Sequence, residues 1–177
     1  MSMQLIQHIE LVSAQKSITF NSIPQTGFTD LFIFYSTRSD RSAIDDPINI
    51  TYNGTSSGYS TISAIGAGSG NGYIETYGTS VTFGGYMPGA STTANTFGSG
   101  SIYITNYRVS ASKSISLEFV AENNATTSYQ NLTSSLWSNN AAISSLSVTA
   151  QVGNLVAGSS ATLFGITSGS SNGVTVS

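Results

Sequence analysis

The sequence predicts an all-β protein built as a β-sandwich or barrel, because apolar and polar residues alternate with a period of two along many short segments. Turn dipeptides such as Asn53-Gly54 separate these segments. The 39% of hydrophobic residues include nine Tyr, eight Phe and one Trp, enough to fill a core. Since a domain spans roughly 100–200 residues, we expect one domain over residues 1–166 and a polar C-terminal tail over 167–177.

Two segments show the strand pattern most clearly. Residues 47–53 place Ile48, Ile50 and Tyr52 on one face, and residues 113–121 do the same with Ile115, Leu117, Phe119 and Ala121. The continuous apolar run within residues 30–38 is typical of a strand covered on both faces. In chain order, the predicted strands are 4–12, 17–23, 30–38, 47–53, 59–65, 73–84, 101–107, 113–121, 142–150 and 160–166.

One short helix and two long loops complete the predicted elements. Leu132 and Leu136 are four residues apart, which favours one or two helical turns near 127–138. Glycine-rich composition predicts loops at 66–72 and 84–100. Long loops in compact domains are usually functional, so we predict that partners contact the large side chains of the second loop and the apolar residues of the tail. These are Tyr86, Met87, Phe97, Val174 and Val176.

The composition excludes several classes of protein. Only 7% of residues are charged, against roughly 25% in a typical domain, while Ser, Thr, Gly and Asn account for 85 of the 177 residues. Five Lys and Arg cannot form the basic stripe that nucleic acid requires. No apolar run reaches ~18 residues, so we expect no membrane span. The first ten residues lack the features of a signal peptide, so we expect synthesis in a cytoplasm.

Catalytic and metal-binding chemistry has little support in the sequence, and we predict no enzyme, no cofactor and no metal. The chain has no Cys and a single His, His8, which we place on the polar side of its strand. Asp40, Asp45 and Asp46 form the only acidic cluster; Ca²⁺ binding is one interpretation, and local pairing with the neighbouring arginines is the favoured one. Spacing along the chain does not bring any two of the three other candidate acids together as a hydrolase pair. These acids are Glu75, Glu118 and Glu122.

Carbohydrate binding is the more serious alternative. Tyrosine rings together with amide and hydroxyl side chains suit sugars, although the same tyrosines are also ordinary half-buried residues. The candidate glycan contacts are Tyr73 and Tyr77.

Four segments carry a family resemblance. They are residues 18–25 with Asp30-Leu31, residues 121–127 followed by Leu136-Trp137, residues 141–146, and residues 158–166. In this order they resemble small virion structural proteins of tailed bacteriophages, in which an opening strand with Ser-Ile-Pro and a closing Gly-Ser-x-x-Thr-Leu-Phe-Gly-Ile strand recur. The resemblance spans most of residues 5–166 and is weakest in 66–100.

The resemblance implies a jelly-roll β-sandwich on the outside of a virion, often a homotrimer, with no catalytic motif to transfer. We therefore expect a capsid decoration (cement) protein that binds the major capsid protein or other virion proteins and stabilises the shell. The alternative is a head- or tail-fibre module that recognises host surface glycans.

Overall fold

Twelve strands make up the regular structure of a computed structural model that describes residues 2–68, 70, 72–123 and 127–167. They are β1 (Ser2–Glu10), β2 (Ser17–Phe20), β3 (Asp30–Thr37), β4 (Asp45–Tyr52), β5 (Tyr59–Ala67), β6 (Gly72–Tyr77), β7 (Thr82–Pro88), β8 (Gly98–Ile104), β9 (Lys113–Asn123), β10 (Thr127–Trp137), β11 (Leu146–Ala150) and β12 (Ser160–Thr167). Across these ranges no helix has the length and apolar character needed to span a membrane.

The strands form two antiparallel sheets packed face to face. The large sheet has the order β1-β12-β3-β8-β9-β10-β5-β6, and the small sheet has the order β2-β11-β4-β7. This confirms the predicted antiparallel β-sandwich. A jelly-roll divides eight strands between two sheets, and the eight-plus-four arrangement does not confirm that finer expectation.

The core lies between the inner faces of the sheets, as the period-two pattern requires. Ile48, Ile50 and Tyr52 of β4 are fully buried and face the large sheet, while Leu117 and Phe119 of β9 face them from the other side. The rings of Tyr52, Tyr59 and Trp137 pack together at one end, with centroid distances of 5.5–6.4 Å.

The predicted helix near 127–138 was wrong, because this segment is strand β10, paired with both β9 and β5. Leu132 and Leu136 do share a face, but it is the outward face of a strand, where residues two and four apart also align. The inward positions hold hydroxyls that bond one another: Thr133 Oγ1 donates to Ser63 Oγ at 2.9 Å, and Ser135 Oγ lies 2.7 Å from Thr82 Oγ1. Because the inward side chains of β10 are polar and its leucines point outward, the sequence of this segment does not show the usual alternation of a strand.

Both predicted glycine-rich loops are shorter than expected. The first is reduced to a hairpin turn between Ala67 and Gly72, and the second to residues 89–97 between β7 and β8. The predicted strand 73–84 is in fact the two strands β6 and β7. Several glycines are strand residues that make room for Phe119, because a Cβ at Gly98 or Gly100 would lie 2.4–2.5 Å from its ring. Space for an aromatic ring, rather than loop flexibility, explains these two glycines.

All five cationic side chains donate hydrogen bonds to backbone carbonyl oxygens, four of them to loop carbonyls and Arg41 to Asp45 at the start of β4. Lys113 is almost fully buried and reaches four carbonyls in two loops, and burial lowers the pKa of its ammonium group. Arg38, also buried, bonds Thr92, Thr93 and Thr96 and so fixes the 89–97 loop. The scarce cations thus stabilise loop conformations.

Candidate binding surfaces

The outward surface of the large sheet, called here the large-sheet face, carries most of the exposed apolar side chains. Of 13 large apolar residues exposed in the described chain, eight point outward from this sheet. They are Met3, Leu5, Phe34, Ile62, Ile74, Val120, Leu132 and Leu136. None of the described residues covers them, so within the described part of the chain the face is open to a partner.

A row of aromatic rings crosses one half of the large-sheet face. Phe34 contacts Phe32 edge-on at a centroid distance of 4.7 Å and lies 6.1 Å from Phe164. Tyr103 continues the row 6.2 Å beyond Phe32, and its hydroxyl donates to Asp30 Oδ2 at 3.0 Å. That hydrogen bond, more than burial, raises the pKa of Tyr103. The row forms an apolar ridge across strands β12, β3 and β8.

A polar trough separates this ridge from a second one on β10, β5 and β6. Serines of β8 and β9, including Ser101 and Ser116, line it together with Glu118, and Val120 is the exposed large apolar side chain of β9. Ser101 Oγ donates to Glu118 Oε1 at 3.1 Å. No outward position of the described large-sheet strands holds Lys or Arg, so the formal charges on this face are carboxylates; the imidazole of His8 also lies there.

The outward surface of the small sheet, called here the small-sheet face, is made of hydroxyl and amide side chains. It holds none of the 13 exposed large apolar residues. Thr19 Oγ1 lies 2.9 Å from Ser147 Oγ across the β2–β11 pair. The other outward side chains of β2, β11 and β4 are Ser17, Asp45, Pro47, Asn49, Thr51 and Thr149, and the carboxylate of Asp45 pairs with Arg41.

A β-bulge in β7 brings two aromatic rings onto one end of the small-sheet face. Phe83 pairs with Asn49 and Tyr86 pairs with Pro47, with a register shift between the two pairs. Residues three apart in a regular strand point to opposite faces, and one extra residue in the bulge places both on the same face. The bulge contains Gly85 at a φ of 114°, a conformation that glycine adopts readily. The two rings consequently meet edge to face at 4.9 Å.

Tyr77, at the end of β6, completes an aromatic cluster with these two rings. It stacks on Phe83 at 4.0 Å with an interplanar angle of 12°. Tyr77 and Tyr86 both donate their hydroxyls to Glu75 Oε2, the latter at 3.1 Å. Burial, followed by the bond to Glu75, raises the pKa of Tyr77, and burial with the nearby carboxylate raises that of Tyr86. We call Tyr77, Phe83 and Tyr86 the ring cluster.

A cavity of about 240 Å³ lies between the ring cluster and the amide side chains of Asn49 and Gln151. Pro47 and the turn 78–81 complete its lining. Within the described chain, the side-chain amides of Asn49 and Gln151 make no hydrogen bond to protein, so both retain donors and acceptors. No charged side chain lines this cavity.

The structure places the predicted partner-contact residues in different environments. Met87 is completely buried in the core, so the expectation that it is exposed was wrong; the bulge before it turns its side chain inward. Phe97 is half-buried beside Gly158, and Tyr86 belongs to the ring cluster. Val174 and Val176, with most of the predicted tail, lie outside the described residues.

The predicted glycan contacts are separated from each other. Tyr77 lines the 240 Å³ cavity, whereas Tyr73, 43% exposed, lines a second cavity near Ile65 and Gln130. Sequence analysis missed Phe83, Asn49 and Gln151, because only the strand register brings them next to Tyr77. Sequence analysis also missed the two apolar ridges, because it assumed that the apolar residues of each alternating strand point into the core and the polar ones to solvent.

The acidic residues are bonded to protein groups. Buried Asp46 accepts from Ser39 Oγ and from the amides of Val152 and Gly153 at 2.7–3.0 Å. Asp40 accepts from Asn154, and these hydrogen bonds lower the pKa of Asp40. Asp45 forms the predicted local ion pair with Arg41 at 3.6 Å. No group of three potential metal ligands occurs among the described residues.

The three glutamates considered as a hydrolase pair do not share one site. Glu75 points to the inner side of β6, where it bonds the two tyrosines, whereas Glu118 and Glu122 point outward from β9. His8 lies on the exposed side of β1, as predicted, with Nδ1 2.8 Å from Thr162 Oγ1.

Comparison with known proteins gives no match: no family model, no curated protein and no solved structure is similar to this chain.

Proposed function

We propose that this chain is a bacteriophage virion structural protein, a capsid decoration protein that binds the outer shell as a trimer and stabilises it. The observation that carries the proposal is the uncovered large-sheet face, with its two apolar ridges. The resemblance of most of residues 5–166 to small phage virion proteins is the reason for proposing a location on a virion. The proposed partners are the major capsid protein and further copies of the chain.

The dimensions of the large-sheet face suit a specific interface. Eight strands of 6–11 residues, spaced by about 4.8 Å and rising ~3.3 Å per residue, give a surface of roughly 1,100 Å². A standard protein–protein interface buries about 800 Å² on each partner. The face therefore has enough area for stable binding without help from the rest of the domain.

Its chemistry suits a partner in a large protein assembly. Aromatic and aliphatic side chains supply binding energy when they are desolvated. The outward side chains are mostly uncharged, so we expect the apolar ridges to supply most of the binding energy; the carboxylates of the face can pair only with cations of the partner. A protein that binds the assembled shell but not free subunits stabilises the shell by mass action, by about 2.7 kcal/mol per site at 100 times Kd.

The experiment compares particles that carry the chain with particles stripped of it. Stripped particles should release their contents at a lower temperature, and adding the chain back should restore stability. The double variant Val120→Ser/Leu132→Ser removes two side chains of the large-sheet face and should bind poorly. The control Val12→Ser/Val152→Ser removes two even more exposed apolar side chains elsewhere and should bind normally.

Equal stability of stripped and complete particles, or equal binding by the two double variants, would contradict the proposal. Labelled copies found at fibre tips rather than across the shell would favour the alternative, a fibre module that recognises glycans.

A further inference from the structure

We propose that the cavity beside the ring cluster is a binding site for one neutral sugar unit of a glycan. This site lies on the small-sheet face, opposite the proposed shell-binding surface, and does not depend on that role. If the large-sheet face contacts a shell, the small-sheet face points to solvent and is available to a ligand.

The lining combines the two kinds of group that a sugar ring needs. Tyr77 and Tyr86 are half-buried and present aromatic surface, whose negative π-face attracts the weakly positive C–H groups of a pyranose. Asn49 and Gln151 present amides that can donate to and accept from sugar hydroxyls. Because neither amide bonds to protein in the described chain, binding a sugar breaks no existing hydrogen bond.

The size of the cavity indicates a single sugar unit. Its volume of about 240 Å³ is below the ~300–1,000 Å³ of sites for drug-sized ligands. The shape is preorganised, because Tyr77 is stacked on Phe83 and both tyrosine hydroxyls are bonded to Glu75. Fixed rings lose little conformational entropy when a ligand binds.

The charges around the cavity select a neutral sugar. The closest carboxylate, Glu75, already accepts hydrogen bonds from Tyr77 and Tyr86. The nearby cation, Lys16, is bonded to the carbonyls of Gln151, Val152 and Gly153. Arg41 is bonded to Asp45, and no Lys or Arg lines the cavity to pair with the carboxylate of a sialic or uronic acid or with a phosphate.

The test is an NMR titration of the isotope-labelled full chain with glucose, galactose, mannose and N-acetylglucosamine, each added separately. N-acetylneuraminic acid and glucose 6-phosphate serve as charged probes. At the usual binding energy per non-hydrogen atom, a hexose should bind with a Kd of about 1 mM. At least one neutral sugar should shift the amide signals of Asn49, Tyr77, Phe83 and Gln151, and the charged probes should bind at least tenfold more weakly.

Two variants connect binding to the cavity. Asn49→Ala and Gln151→Ala should each weaken sugar binding about tenfold without unfolding the protein, because both side chains are at the surface. Thr51→Ala changes a neighbouring outward residue of the same strand outside the cavity and should leave binding unchanged. The proposal is overturned if no neutral sugar shifts these signals, if the charged probes bind more tightly, or if binding survives in both variants. A proline-rich peptide that shifts the same signals while every sugar fails would also overturn it.

Discussion

The two outward faces of this sandwich have opposite chemistry, although both belong to antiparallel sheets of the same domain. The large-sheet face carries eight exposed large apolar side chains, whereas the small-sheet face carries none and consists mainly of Ser, Thr and Asn. A β-sandwich needs only its inner faces to be apolar. The apolar outward residues therefore add nothing to the core of a single copy, and their purpose is to be sought in a partner. The contrast means that the two faces offer a partner different chemistry: apolar side chains on the large sheet, hydroxyl and amide side chains on the small sheet.

Alanine substitutions at two neighbouring residues of β12, one inward and one outward, should give the largest difference in unfolding free energy. Leu163 is fully buried, and Leu163→Ala should lower the free energy of unfolding by about 3 kcal/mol through lost transfer energy and a cavity. Phe164 points outward and is half-buried, so Phe164→Ala should lower it by only about 1 kcal/mol. Urea denaturation measures both values. Equal losses would mean that the large-sheet face is part of the folding core.

Polar substitution of the large-sheet face should reduce its affinity for an apolar probe. Phe34→Ser/Leu132→Ser removes one side chain from each ridge and should weaken binding of a hydrophobic fluorescent dye to the native protein about tenfold, which corresponds to ~1.4 kcal/mol of lost apolar contact. Thr149→Ser on the small-sheet face is the control and should have no effect. Similar dye binding by all three proteins would show that the ridges are not accessible.

Removing the charge of Glu75 should change the alkaline titration of the ring-cluster tyrosines and leave that of the large-sheet tyrosine Tyr103 unchanged. Burial and Glu75 raise the pKa values of Tyr77 and Tyr86 above the ordinary value of about 10. A raised folded-state pKa contributes stability that is complete below about pH 10 and is lost as the pH rises through the folded-state value. Glu75→Gln removes the charge and should lower the pKa of both phenols, while Tyr103 on the large-sheet face, bonded to Asp30, should not change.

Ultraviolet absorbance of the phenolate, followed as a function of pH, measures this effect. An unchanged titration curve in Glu75→Gln would contradict the assigned hydrogen bonds.

The smallest effect is expected on the small-sheet face itself. Thr19→Val removes one partner of the Thr19–Ser147 hydroxyl pair and should lower stability by about 0.5 kcal/mol, because the pair is only partly buried. Ser147→Ala should do the same, and the double variant should lose less than the sum of the two, as a double-mutant cycle of unfolding free energies will show. Strict additivity would mean that the two hydroxyls do not interact.

The sequence predicted the fold class where alternation followed the usual rule. In β4 and β9 apolar residues point inward, as at Ile50 and Leu117, and both strands were predicted nearly at their observed bounds. Prediction failed in β10, where Thr133 and Ser135 point inward and Leu132 outward. Hydroxyl side chains can lie in an interior when they hydrogen-bond to one another. The sequence of one strand does not show which other strands supply the hydroxyl partners.

The candidate sites were harder to predict than the fold. Tyr77 and Tyr86 were identified from the sequence as aromatic residues suited to binding, but the ring cluster depends on a bulge at Gly85 and on pairing of β4 with β7. Asn49 and Gln151 are 102 positions apart, and only β11–β4 pairing brings them to the same cavity. Such proximity is a property of the register, which single-sequence patterns do not encode.

The carbonyl-bound cations make the native protein a poor substrate for trypsin. The protease needs a Lys or Arg side chain, with several flanking residues, to enter its cleft in an extended form. Arg38 and Lys113 are buried, and all five cationic side chains are held by backbone carbonyls on the segments they stabilise. Cleavage after Arg38 and Lys113 thus requires local unfolding first, so the rate of digestion at these two sites reports the opening of the loops around them.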